Sequence, residues 1–185
     1  MIEIRLHGRG GAGAVTSAEL MAITAINLGK YAQAFPSFGP ERRGAPVVAF
    51  CRIDDKQIKL RTNINEPTIV LVLDPSLLKI VNVAAGLRPG GILVINSRNS
   101  CEDMRKEYGF TCSIAAVDAT TIAREATGLP ITNVAMLGAL LKAREIFAPD
   151  ALTGPVNKRF GRIAEKNLIA FRRAFAETIV CNVTI

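Results

Sequence analysis

Three glycines near the start of the chain constrain its fold more than any other feature. Gly8, Gly10 and Gly13 follow an apolar alternation, Ile2, Ile4 and Leu6. They precede a run with helical spacing: Ala18, Leu20, Met21, Ile23, Ala25, Ile26 and Leu28. A strand, a glycine turn and a helix in direct succession open a Rossmann-like βαβ unit. Glycines let the backbone turn sharply and let a ligand approach closely, and the free N–H groups of a helix start favour an anion. A dinucleotide site also needs an acid roughly 20 residues on, for the ribose hydroxyl. That region reads Lys30-Tyr31-Ala32-Gln33-Ala34-Phe35-Pro36 and holds none. The turn therefore points to an anion more than to a nicotinamide cofactor, with a tight strand-to-helix turn that holds no ligand as the alternative.

The rest of the chain alternates strands and helices. Leu28-Gly29 closes the first helix, and Tyr31–Phe35 reads as a short strand. Pro36-Ser37-Phe38-Gly39-Pro40-Glu41-Arg42-Arg43-Gly44-Ala45-Pro46 holds three prolines and two glycines, which excludes regular structure there. Val47–Ile53 and Gln57–Leu60, on either side of Asp54-Asp55-Lys56, read as an antiparallel hairpin. Thr68–Leu73 and Ile92–Ile95 are continuous apolar runs, as expected of strands buried on both faces. A helix is expected from Pro75 to about Ala85, a polar helix over Ser100–Tyr108, a strand over Ser113–Val117 and a short helix over Asp118–Thr127. Asn133 is expected to cap a helix running to about Phe147, in which Ala135, Gly138 and Ala139 allow a neighbour to pack closely. Ala148–Pro155 reads as a loop and Lys158–Thr178 as one long helix with an apolar stripe of Phe160, Ala164, Leu168, Phe171 and Phe175. Cys181–Ile185 is expected to add an edge strand. The fold class is α/β: a Rossmann-like, mainly parallel sheet with flanking helices and an inserted antiparallel hairpin. In such sheets ligands bind beyond the C-terminal strand ends, which places Gly8–Gly13, Asp74 and Asn96-Ser97 on one rim.

With 185 residues the chain fits a single domain over 1–185. No apolar run approaches the ~18 residues a membrane helix needs, and no secretory leader is visible, so a cytoplasmic location is expected. The net charge of +7 comes with no aromatic platform or recognition-helix pattern, so it points to an acidic ligand or partner subunit and not to nucleic acid. Cys51, Cys101, Cys112 and Cys181 form no C-x-x-C, and His7 is the only histidine. No metal or iron–sulfur site is expected within the chain, and its cysteines are expected as reduced, mostly buried thiols. No catalytic residues are assigned: His7 has no evident partner, Asp54 and Asp55 suit a turn, Asp74 suits a helix cap, and no P-loop lysine follows the glycines. A chain fitted to hold an anion but poorly equipped for chemistry reads as a subunit of a larger enzyme. A free-standing nucleotide-binding dehydrogenase is the alternative, and a non-catalytic scaffold is a third reading.

Five segments together carry a family resemblance. They are Arg5–Thr16, Phe35–Val47, Arg52-Ile53-Asp54-Asp55, Leu73-Asp74-Pro75 and Asn133–Ala139. In this order they resemble the gamma subunit of 2-oxoacid:ferredoxin oxidoreductases, over about the whole chain. The form Phe38-Gly39-Pro40-Glu41-Arg42-Arg43-Gly44-Ala45-Pro46 is similar to the pyruvate and 2-oxoisovalerate branches. Ala12 departs from the family, which commonly has glutamine there.

The resemblance implies a complex that oxidatively decarboxylates a 2-oxoacid, joins the acyl group to coenzyme A and reduces ferredoxin. It implies alpha, beta and delta partner subunits that hold thiamine diphosphate, Mg and the iron–sulfur clusters, with no redox centre in this chain. It also implies a link between this domain and coenzyme A. Joined to the residues, that link makes Gly8, Arg9, Gly10, Gly11 and Gly13, with Phe38, Arg42 and Arg43, the expected coenzyme A contacts: glycine N–H groups and forked guanidinium donors for phosphate, and a ring to cover the adenine or the pantetheine arm. The competing expectation makes Glu41-Arg42-Arg43 an ion-pair knot against alpha and beta.

Overall fold

The computed structural model describes residues 1–37 and 44–183. Phe38, Glu41, Arg42 and Arg43 thus lie outside the described residues. A seven-stranded sheet in the order β2-β3-β1-β4-β5-β6-β7 carries helices on its faces. The strands are β1 (Ile2–Arg9), β2 (Tyr31–Pro36), β3 (Pro46–Asp54), β4 (Ile69–Val72), β5 (Ile92–Asn96), β6 (Ser113–Val117) and β7 (Ile179–Cys181). The helices are α1 (Ala14–Asn27), α2 (Cys101–Tyr108), α3 (Ala119–Thr127), α4 (Asn133–Ala143), α5 (Thr153–Phe160) and α6 (Ala164–Glu177).

β1, β4, β5 and β6 run parallel and form the centre. β3 lies antiparallel beside β1, β2 antiparallel beside β3, and β7 antiparallel at the far edge. The period-2 alternation of the central strands divides the core in two. On one face Ile4, Leu6, Leu71 and Val94 pack with residues of α1, α4 and α6. On the other, Val70, Val72, Leu93, Ile95 and Ile114 meet Cys101 and Met104 of α2.

The antiparallel hairpin is present, but its arms are β2 and β3, with Tyr31 opposite Asp54 and Pro36 opposite Ala49. Gln57–Leu60 is not a strand: Gln57, Lys59 and Leu60 are exposed, and the segment touches the sheet where Gln33 Nε2 donates to the Ile58 carbonyl. The expected helix after Pro75 shortens to a 3₁₀ turn over Pro75–Lys79, because Ile80, Val81 and Val83 bring β-branched side chains where a helix would have to continue. The expected long last helix divides into α5 and α6 at Gly161, whose φ of +50° a continuous α-helix does not accommodate, and a 3₁₀ turn over Gly161–Ile163 joins the two. The Ala148–Pro155 segment holds a 3₁₀ turn, Pro149–Leu152, and the start of α5. Asn133 is the first residue of α4 and not its cap; its Oδ1 accepts from the Val134 N–H at 2.8 Å.

The close approach expected at Gly138 is present: a Cβ there would lie 2.2 Å from the Phe171 carbonyl oxygen of α6. The expectation of four reduced thiols is corrected at one pair. Cys101 at the start of α2 and Cys181 at the end of β7 form a disulfide, because the antiparallel return of β7 beside β6 brings the two together; Cys51 and Cys112 are free.

Candidate functional site: the glycine turn and its rim

β1 ends against β4, and the chain turns at its C-terminal end into α1. Ala12 N–H donates to the Arg9 carbonyl at 2.8 Å and closes the turn. Gly11 and Gly13 have φ of +91° and +83°, a region that side chains disfavour. Gly13 also lies against α4: a Cβ there would sit 2.7 Å from Asn133 Nδ2 and 2.8 Å from its Cβ. At Gly8 the approach is to Ala14, at 3.1 Å. Gly10 holds the far side of the turn, donating to the Ala45 carbonyl at 2.9 Å.

α1 begins with no side-chain cap and with no acid in its first turn. Its first N–H groups have no partner within the helix. They open onto a cleft of about 240 Å³ lined by Arg9, Gly10, Gly11, Gly13, Ala14 and Thr16. A helix start with free donors and no competing carboxylate is electrostatically suited to an anion.

Arg9 braces this rim. Its Nε lies 3.0 Å from Asp74 Oδ2, Nη2 donates to Ser76 Oγ at 2.8 Å, and Nη1 donates to the Gly44 carbonyl at 2.9 Å. Asp74 also accepts from the Ser76 N–H at 2.9 Å, which makes it the cap of the 3₁₀ turn. Farther along, Asn96 Nδ2 donates to the Leu73 carbonyl at 2.8 Å and to Thr120 Oγ1 at 2.9 Å. The turn, Asp74 and Asn96 thus lie on one rim, as the topology requires. Gly8, Arg9, Gly10, Gly11 and Gly13 come together there.

The missing ribose acid has a topological cause. In a dinucleotide-binding unit the chain leaves the first helix for a parallel strand beside the first. Here it leaves α1 for β2, and β1's neighbour on that side is the antiparallel β3. The C-terminal end of β2, where the acid would stand, is thus one strand farther from β1 than in that unit.

Sequence reasoning missed two partners. Asn133, the seat of Gly13, is 120 residues away and carries no local signal. His7, expected to be partnerless, accepts from Arg5 Nε at its Nε2, 3.1 Å away. It is buried, and burial, aided by the Arg5 charge, pushes its pKa down to about 4. The imidazole is therefore neutral at pH 7. A basic group with a folded pKa below its unfolded value contributes stability that is present above the unfolded pKa and is lost as pH falls through the window from 6.5 to about 4. In urea titrations, wild type should lose on the order of 2–3 kcal/mol more between pH 7 and pH 4.5 than His7→Gln, which keeps an acceptor for Arg5 but does not titrate. Equal losses would remove His7 from the acid response.

Comparison with known proteins gives a consistent set of relatives. The family profile described as pyruvate ferredoxin/flavodoxin oxidoreductase matches residues 3–177. The chain is 52% identical over 185 residues to the pyruvate/ketoisovalerate oxidoreductases common subunit gamma of Thermococcus kodakarensis, covering 97% of this chain and 98% of that one. It is 46% identical over 178 residues to the pyruvate synthase subunit PorC of Methanothermobacter thermautotrophicus, covering 96% of each. Among solved structures, the pyruvate oxidoreductase subunit PORC of Thermotoga maritima superposes with a TM-score of 0.87 at 37% identity, covering 98% of each chain.

Proposed function

The chain belongs to the pyruvate ferredoxin/flavodoxin oxidoreductase family, and from that premise we propose that it serves as the gamma subunit of a multisubunit 2-oxoacid:ferredoxin oxidoreductase and lends its glycine turn to the binding of coenzyme A. The complex oxidatively decarboxylates pyruvate or a related 2-oxoacid, transfers the acyl group to coenzyme A and passes the electrons to ferredoxin. Thiamine diphosphate, Mg and the iron–sulfur clusters belong to the alpha, beta and delta partners. The setting is the cytoplasm; no helix among the described residues is long and apolar enough to cross a membrane.

The observation that carries the coenzyme A reading is the uncapped first turn of α1, opening onto its cleft. At about 240 Å³ the cleft has room for a diphosphate and not for the whole molecule, so the remainder would lie against other surfaces. Gly8, Gly10, Gly11 and Gly13 let the backbone approach the phosphates. Arg9 holds a guanidinium fixed at the edge by Asp74 and Ser76, its charge largely offset by the Asp74 carboxylate 3.0 Å away. Phe38, Arg42 and Arg43 enter by sequence: Gly44, the residue after Arg43, is tied to Arg9 and to Gly10. Assembly is supported by an outward apolar stripe on α1, where Ile23 and Ile26 are 45% and 54% exposed.

Replacing Arg42 and Arg43 by alanine in the whole complex should raise the apparent KM for coenzyme A by about 10-fold or more with kcat near wild type, since the loss of even one charged hydrogen bond costs about 1.5–3 kcal/mol. An unchanged KM in a complex that no longer holds its partners would instead make Glu41-Arg42-Arg43 an interface knot.

A further inference from the structure

A second cavity lies away from the glycine turn, at the C-terminal ends of β5 and β6. It measures about 590 Å³ and is lined by Ser97, Arg98, Asp118 and Glu177, with both Cys101 and Cys181 in its wall. Cys101, the first residue of α2, is 3% exposed; Cys181, at the end of β7, is only partly buried. The disulfide between them spans 80 residues of sequence.

Besides that bond, β7 is held by a short ladder and by Val180 packing against the core. It is a three-residue edge strand, its register with β6 runs only from Ile114–Cys181 to Ala116–Ile179, and Ile179 is 66% exposed. Beyond the ladder, Arg105 Nη2 donates to the Cys181 carbonyl at 2.9 Å, and the Val183 N–H donates to Ser113 Oγ at 3.3 Å. β6 beneath it is buried from Ile114 to Val117, so losing β7 would bare a row of unpaired strand N–H and carbonyl groups.

We propose that Cys101–Cys181 is a thiol-exchange site, a redox clasp that a dithiol reductant opens through this cavity to free β7 from β6. A reductant thiolate attacks Cys181 Sγ, the more accessible sulfur. The Cys101–Cys181 bond breaks, and Cys101 leaves as a thiolate that takes up a proton. The second reductant thiol then displaces Cys181 from the mixed disulfide, leaving two protein thiols and the oxidised reductant. Two electrons pass, and exchange with a disulfide of the same class reverses the step. Cys112, two residues before Ile114, is a free thiol whose pKa is raised by burial, so it stays protonated and outside the exchange.

The test uses the whole complex, equilibrated in oxidised and then in reduced dithiothreitol, with peptide-resolved readouts on this chain. After denaturation without reductant, iodoacetamide should label Cys51 and Cys112 only in the oxidised sample, and all four cysteines in the reduced one. Amide exchange in β6 and β7 should quicken about 10-fold or more on reduction, while β1 and β4 stay unchanged. Cys181→Ser should exchange at the fast rate in both buffers, and Cys112→Ser should respond as wild type does. Labelling of Cys101 and Cys181 in the oxidised sample, an exchange rate indifferent to dithiothreitol, or loss of the response in Cys112→Ser would each overturn the proposal.

Discussion

Gly13→Ala lowers the stability of the chain by about 3 kcal/mol and weakens coenzyme A binding by the complex. Two costs combine. A side chain at φ +83° loses about 1–2 kcal/mol against its preferred regions. The new Cβ would also stand 2.7–2.8 Å from Asn133 Nδ2 and Cβ, so α1 or α4 must move. Movement of α1 displaces the donors of its first turn, which the account makes the phosphate seat. The two costs separate in a double-mutant cycle with Asn133→Gly, which removes every contacting side-chain atom, measured by urea denaturation. Removing the Asn133 side chain should recover on the order of 1 kcal/mol and leave the backbone strain in place. A Gly13→Ala chain as stable as wild type, with an unchanged KM for coenzyme A, would contradict this geometry.

Gly138→Ala is the second large effect, and its sign runs against helix propensity. Alanine is favoured over glycine inside a helix by about 1 kcal/mol. At this position in α4 the added Cβ would lie 2.2 Å from the Phe171 carbonyl oxygen and 3.1 Å from the Phe175 nitrogen. Backbone cannot rotate aside as a side chain can, so α6 must back away from α4 and open the buried seam that includes Leu137, Leu168 and Phe171. We expect a net loss of about 2–3 kcal/mol. Gly154 in α5 is the internal control: nothing lies within 4 Å of its would-be Cβ, so Gly154→Ala should be neutral or stabilising by up to about 1 kcal/mol. Thermal or urea unfolding of the two variants should move in opposite directions. A stabilised Gly138→Ala would mean that α4 and α6 do not pack through this glycine.

The contrast between these two glycines shows what a sequence can disclose. Gly138 was legible as a point of close packing because Ala135 and Ala139 flank it, but its partner was not, since Phe171 belongs to a helix far along the chain. The turn at Gly8–Gly13 was legible for the same local reason: strand alternation, glycine spacing and helical spacing all fall within one short stretch. β4 and β5 were legible as unbroken apolar runs, buried throughout in the structure. Where a choice depended on distant pairing, local pattern misled. Val47–Ile53 reads as a strand and is one, but the Asp54-Asp55-Lys56 turn makes Gln57–Leu60 look like its partner, whereas the register belongs to β2. One glycine, Gly161, ended a helix whose apolar stripe runs on past it. The tie of Arg9 to Asp74 and the Cys101–Cys181 bond join residues 65 and 80 positions apart, and no spacing rule announces either. The rim was thus predictable as a place, and the network that stiffens it was not.

Coenzyme A is proposed to touch this subunit at the start of α1, and amide hydrogen exchange of Ala14, Val15 and Thr16 in the assembled complex, with and without saturating coenzyme A, reads that contact. These first-turn amides have no helical partner, so they exchange fast until a ligand oxygen accepts from them. Slowing of about 10-fold or more is expected on adding coenzyme A, and none on adding the 2-oxoacid alone. Exchange unchanged by coenzyme A, in a complex that still consumes it, would place the binding site wholly in other subunits and leave this chain an assembly element.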